Sequence, residues 1–132
     1  MCVDPFEQLF PHGHIDALKN RQFKAGIEVY ESYLSQNLSG KIVVIALGTN
    51  GLVTDELIDT LMADIGTERY VVFVNTRHPQ PWLADTNAAL QRATERYDNV
   101  HLVDWYSYSE GRDDLFDGDG THLKRRAQGV RA

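Results

Sequence analysis

Three short runs constrain this chain more than any other feature: KIVVIALG (Lys41 to Gly48), YVVFVNTR (Tyr70 to Arg77) and NVHLVDWY (Asn99 to Tyr106). They are rich in β-branched residues and too apolar on both faces for a half-exposed sheet, which is how buried parallel strands look. GHIDAL (Gly13 to Leu18) is a weaker fourth candidate. Between the runs the period lengthens. Phe23, Ile27, Tyr30 and Leu34 recur at helical spacing, as do Leu57, Ile58, Leu61, Met62 and Ile65, the latter set opened by Thr54 as N-cap with Asp55 and Glu56 in its first turn. A third helix is predicted from about Asp85 to Tyr97 through Leu90 and Ala93, and Asp4 followed by Pro5 starts a short one near the N-terminus. Strands alternating with helices require right-handed crossovers, so the expected fold is a three-layer α/β domain built on a parallel sheet.

Composition bounds what that fold can serve. With 132 residues, 42% of them hydrophobic, residues 1–132 suit a single domain with a core of its own. The net charge of -6 gives an acidic surface that repels phosphate backbones and anionic headgroups, so no nucleic-acid partner is expected. Cys2 is the lone cysteine and rules out an internal disulfide. No apolar run approaches the roughly 18 residues of a membrane span, and nothing at the N-terminus resembles a secretory signal.

In an open parallel sheet, ligands bind outside the carboxyl ends of the strands. The loops there are GTNG (Gly48 to Gly51), NTRHPQPW (Asn75 to Trp82) and WYSYSEGRDDLFDGDGTH (Trp105 to His122). The glycines of GTNG let the backbone approach a ligand, and Asn50 offers an amide donor of the sort used on an oxyanion; a plain strand-to-helix turn is the competing reading. In DGDGTHL, Asp119 stands three residues before His122, where a carboxylate can hold an imidazole in one tautomer; a solvated acidic turn competes. Arg77, Trp82 and Trp105 suit a sugar platform, or, for the two tryptophans, packing over the sheet end. His12-Gly13-His14 lacks a third zinc ligand and a Cys pair, and the Asp117, Asp119, Thr121 alternation lacks the closing Glu of a calcium loop, so no metal is expected.

GTNG after a buried strand and Asp-Gly-Thr-His near the C-terminus resemble the Asn-bearing and Asp-x-x-His blocks of the SGNH (GDSL-type) hydrolase superfamily. The wider pattern IDALKNRQF, IVVIALGTNG, VVFVNTRHPQPW, VHLVDWY and DGDGTHL, from about Phe10 to Leu123, is similar to one branch: the extracytoplasmic domain of membrane-bound O-acetyltransferases acting on peptidoglycan or other cell-surface glycans. The resemblance implies a flavodoxin-like three-layer fold, His122 as general base, Asp119 as its orienting partner, and Asn50 with Gly48 at the oxyanion. It implies no metal or organic cofactor, an acylated glycan or small ester as substrate, a membrane acyltransferase domain in the parent protein, and an extracytoplasmic setting. Arg21-Gln22 also matches and reads as a cleft buttress, with Arg21, Arg77, Trp82 and Trp105 as candidate substrate contacts.

The family's Gly-Asp-Ser block is missing from this sequence. The resemblance aligns Met1 just after it, so the nucleophilic Ser is expected immediately upstream, and with it a central strand between GHIDAL and KIVVIALG. HLKRRAQGVRA also stops short of the family's last helix, so the domain is expected to be truncated at both ends and inactive as given. Ser107, Ser109 and Cys2 are the available stand-ins: the two serines lie in a loop with no evident sharp strand-to-helix turn, and the cysteine lies at a terminus. The alternative is a non-catalytic remnant, a glycan-binding or interaction module that keeps the fold.

Overall fold

The computed structural model describes residues 7–124. Met1, Cys2, the helix start at Asp4-Pro5 and the tail after Lys124 lie outside the described residues; residues 7–9 are helical. The elements that follow are α1 (Phe23–Ser35), β1 (Ile42–Ile45), α2 (Asp55–Ile65), β2 (Tyr70–Val74), α3 (Leu83–Arg96), β3 (Val100–Val103), a one-turn helix α4 (Trp105–Tyr108) and a 3₁₀ turn at Asp113–Leu115. The three strands pair in parallel in the order β1-β2-β3, with Ile42 opposite Tyr70 and Val71 opposite Val100.

The expected parallel α/β fold is the one observed, and its strand order dictates where the helices go. Each crossover steps in the same direction across the sheet, so right-handedness puts α2 and α3 on one face. There Val43, Val71, Phe73 and Val100 meet Phe23 and Ile27 of α1, Ile58, Leu61 and Ile65 of α2, and Leu90 and Ala93 of α3 in one core. The opposite face carries Ile42, Val44, Tyr70 and Val103, which are 65%, 57%, 49% and 46% exposed. Two of the three expected layers are therefore present among the described residues.

Local chemistry sets the helix ends. Thr54 caps α2, its Oγ1 accepting from Leu57 N–H at 3.3 Å, and Gly66 ends the helix at φ +80°, a conformation that costs a side chain dearly. On the outer surface Arg92 pairs with Asp55, while Arg96 and the Tyr97 hydroxyl share Asp59, tying α3 to α2.

Two expectations need correction. GHIDAL is not a strand: residues 13–18 are irregular, and Leu18 is 64% exposed. A strand needs a neighbour, and this segment is held instead by side chains, Asp16 taking the Tyr33 hydroxyl at 2.5 Å and Arg21 at 2.7 Å. The Tyr-Ser-Tyr-Ser segment is not a loop without a strand-to-helix turn either. Asp104 ends β3 and caps α4 at once, Oδ1 accepting from Ser107 N–H at 3.1 Å.

Candidate functional site

Three loops leave the carboxyl ends of the strands, and each is fixed by its own polar contacts. The first follows β1. Gly48 adopts φ +143°, and a Cβ on it would sit 2.9 Å from the methyl groups of both Thr76 and Thr86, so only glycine fits between them. Beyond the turn, Val53 N–H donates to the buried Thr86 Oγ1 at 3.1 Å, which pins the loop to α3. Asn50 projects from this turn, its amide donating at 3.4 Å to the Arg21 carbonyl.

The second loop follows β2. Asn87 braces it: Oδ1 accepts from Thr76 N–H at 2.9 Å, and Nδ2 donates to the Thr76 carbonyl at 2.9 Å. It then crosses toward the first loop, where Trp82 Nε1–H donates to the Thr49 carbonyl at 3.2 Å.

The third loop carries DGDGTH and is closed on itself. Asp117 N–H donates to the His122 carbonyl at 2.8 Å, Lys124 N–H to the Leu115 carbonyl at 2.8 Å, and Phe116 bridges Leu123. Within it, Asp119 Oδ1 accepts from the backbone N–H of Thr121 and of His122 at 2.9 and 3.0 Å. Its Oδ2 lies 2.6 Å from His122 Nδ1. The His122 ring first, and the two backbone N–H groups after it, hold the Asp119 carboxyl far below the usual carboxylate range. An ionised carboxylate only accepts, so the proton of this bond sits on Nδ1, and a neutral His122 presents Nε2 as a free base.

These loops enclose a cleft of about 350 Å³ whose walls include Thr49, Asn50, His78, Trp82, Asp119 and His122. Of the residues singled out in the sequence, Asn50, Asp119, His122 and Trp82 therefore share one cavity, with Gly48 in the turn beside them. The others sit elsewhere. Arg21 pairs with Asp16 and does not line the cleft, its backbone carbonyl accepting from the Asn50 amide, while Gln22 packs 3.6 Å from where a Gly51 Cβ would be. The Arg77 guanidinium lies 4.0 Å over the Phe116 ring, donates to the Ser109 carbonyl and pairs with Asp113, so it organises the third loop and faces a separate cavity of about 210 Å³. Trp105 stacks on Tyr108 and packs on Phe116 in a small apolar cluster with Leu115.

The stand-in serines are also away from the base. Ser109 is fully buried with Oγ on the Tyr106 carbonyl at 3.3 Å, and neither it nor Ser107 lines the cleft; Cys2 lies outside the described residues. Among the described residues, no three His, Cys, Asp or Glu side chains converge as metal ligands, and His14 packs edge-on against Tyr33. One cleft residue was not anticipated. His78 is buried in the second loop, where burial pushes its pKa down, with the Gly48 backbone acting the other way. Its only signal in sequence is a histidine beside a proline in a loop after a parallel strand.

The chain is similar to curated proteins over most of its length. It is 35% identical to the peptidoglycan O-acetyltransferase OatA of Listeria monocytogenes over 124 residues, 93% of this chain and 20% of that protein. It is 33% identical to the O-acetyltransferase OatA of Staphylococcus aureus (strain NCTC 8325) over 120 residues, 90% of this chain and 20% of that one. The chain thus spans about a fifth of the length of these relatives. No family model matches it. Among solved structures, its fold is similar to the C-terminal catalytic domain of Streptococcus pneumoniae peptidoglycan O-acetyltransferase A, captured with a methylsulfonyl adduct: the TM-score is 0.83 at 15% identity, covering 97% of this chain and 79% of that one. Parallel strands, the Asn-bearing turn after β1, the Asp-x-x-His loop after β3 and this similarity together make the chain a homologue of one part, about a fifth, of the peptidoglycan O-acetyltransferases, with the fold of the SGNH-like C-terminal domain of the Streptococcus pneumoniae protein.

Proposed function

We propose that the cleft is an acyl-transfer site of the glycan O-acetyltransferase type. The observation that carries this reading is the Asp119–His122 pair at 2.6 Å, opening with Asn50 onto one cavity. His122 Nε2 is the base that takes a proton from an attacking hydroxyl and returns it to the leaving group, and Asp119 holds the ring and steadies the imidazolium. Asn50 and the Gly48 turn supply donors for the tetrahedral oxyanion. Trp82 offers a flat apolar face to a sugar ring. The substrate class is an acetylated glycan or small acetyl ester, handled outside the cytoplasm in a protein that also carries a membrane acyltransferase domain; no helix among the described residues is long and apolar enough to cross a membrane.

The nucleophile in this proposal is a serine that does not come from the described cleft, because no Ser or Cys lines it. The same observation favours the second reading, a glycan-binding module that keeps the fold without turnover. Hydrolysis of 4-nitrophenyl acetate separates them, using the chain extended by an N-terminal strand ending in Gly-Asp-Ser. Turnover that falls by about 10² to 10⁴ on His122→Ala, the usual worth of general acid–base catalysis, supports acyl transfer. Turnover indifferent to His122→Ala overturns it, and robust turnover by the unextended chain that is lost on Cys2→Ala assigns the nucleophile to the thiol instead.

A further inference from the structure

His78 is a buried titratable side chain in the cleft wall to which the proposed reaction gives no task. It is 5% exposed and lies in the same cavity as Asn50 and His122. Its contacts define its tautomer. Gln80 N–H donates to Nδ1 at 3.1 Å, and a ring nitrogen that accepts a hydrogen bond carries no proton, so in the neutral ring the hydrogen is on Nε2. Burial holds the ring in that neutral form near pH 7. The Nε2 atom is itself buried and has no hydrogen-bond partner. A buried donor left unpaired is costly, so it marks an interaction that a small shift would complete.

The neighbouring group in question is the turn after β1. Among the described residues, the Gly48 backbone favours the protonated ring, as a carbonyl facing an N–H does, yet it makes no hydrogen bond with Nε2. One residue further on, Trp82 Nε1–H already holds the Thr49 carbonyl at 3.2 Å, and the Trp82 and His78 rings lie 5.9 Å apart in the same loop. Among the described residues, the Asn50 side chain is held by a 3.4 Å contact to the Arg21 carbonyl.

We propose that His78 is a positioning residue: its Nε2–H closes on the Gly48 carbonyl and, with Trp82 on the Thr49 carbonyl, clasps the turn that carries Asn50. The consequence follows from peptide geometry. In a trans peptide the C=O of one residue and the N–H of the next point in opposite directions within one plane. Fixing the Gly48 and Thr49 carbonyls therefore fixes the directions of the Thr49 and Asn50 N–H groups, the backbone donors beside the Asn50 amide. This role rests on the acyl-transfer reading, because it is the oxyanion that needs these donors preorganised.

The test is NMR on the full chain with 15N-labelled histidine, comparing His78→Phe, which keeps a ring and loses the donor, with His78→Gln, which offers an amide N–H. The expected spectrum shows His78 protonated on Nε2 alone at pH 7. Amide exchange at Thr49 and Asn50 should quicken about tenfold or more in His78→Phe relative to the amides of α3, and return most of the way in His78→Gln. A proton on Nδ1 overturns the proposal, as does exchange at Thr49 and Asn50 that rises no more than in α3, the mark of a residue that merely packs. None of these readouts depends on turnover. Failure of the acyl-transfer reading would appear in the ester assay while leaving this result intact.

Discussion

At the scale of single residues, Asp119 is, among the described residues, the carboxyl held furthest below the ordinary range. It accepts three hydrogen bonds, two from backbone N–H groups and one from His122, and all favour the ionised form. A carboxyl whose folded-state pKa is depressed adds stability above its unfolded value of about 3.9 and loses that contribution as pH falls through the folded value. The expected outcome is a 13C titration of the Asp119 side chain with a midpoint well below about 3.9, moving upward in His122→Ala. A midpoint near the ordinary value in both proteins contradicts the pairing. Asn50, Asp119 and His122 were legible in sequence as residues of one cleft because they occupy loops at the same end of a parallel sheet. His78 was not, because its burial comes from the packing of one loop on another. Arg77 and Trp105 were legible as end-of-strand residues, but their partners, Asp113, Phe116 and Tyr108, belong to a loop whose path the sequence pattern does not determine.

At the scale of elements, helices with a cap and a sustained apolar stripe were readable, and α2 is the best example. Thr54→Ala removes the acceptor for Leu57 N–H and is expected to cost about 0.5 to 2 kcal/mol in urea unfolding with an unchanged m-value, while Thr54→Ser should recover most of it. Equal stability of Thr54→Ala and the parent would show that the cap is satisfied by water instead. The elements that eluded the pattern did so for different reasons. α4 has four residues, too few for any period to register, and it exists because Asp104 caps it on leaving β3. GHIDAL has some strand chemistry but no hydrogen-bonded strand beside it among the described residues, and a strand's stability lies in its pairing rather than in its own propensity.

At the scale of the whole molecule, the sheet is asymmetric among the described residues. One face is packed by α1, α2 and α3, while Ile42, Val44, Tyr70 and Val103 on the other are about half exposed, and β1 has a single strand neighbour. The sequence reads β1 as buried on both faces, and the exposure of Ile42 and Val44 is where that reading and the structure part. The proposed reaction joins the two observations. A further parallel strand beside β1 would satisfy its open edge, where each unmet buried backbone group costs about 1 to 3 kcal/mol, and would end at the level of the Asn50 turn. A serine at that end would complete a set of nucleophile, base and orienting carboxylate whose other members are His122 and Asp119.

Acetyl-ester turnover, measured on matched forms of the chain extended by a strand ending in Gly-Asp-Ser or Gly-Asp-Ala, tests this most directly, with thermal unfolding recorded on the same samples. Both extensions should raise the unfolding temperature by the same amount, and only the Ser form should turn over. An extension that stabilises nothing, or an Ala form as active as the Ser form, would contradict it.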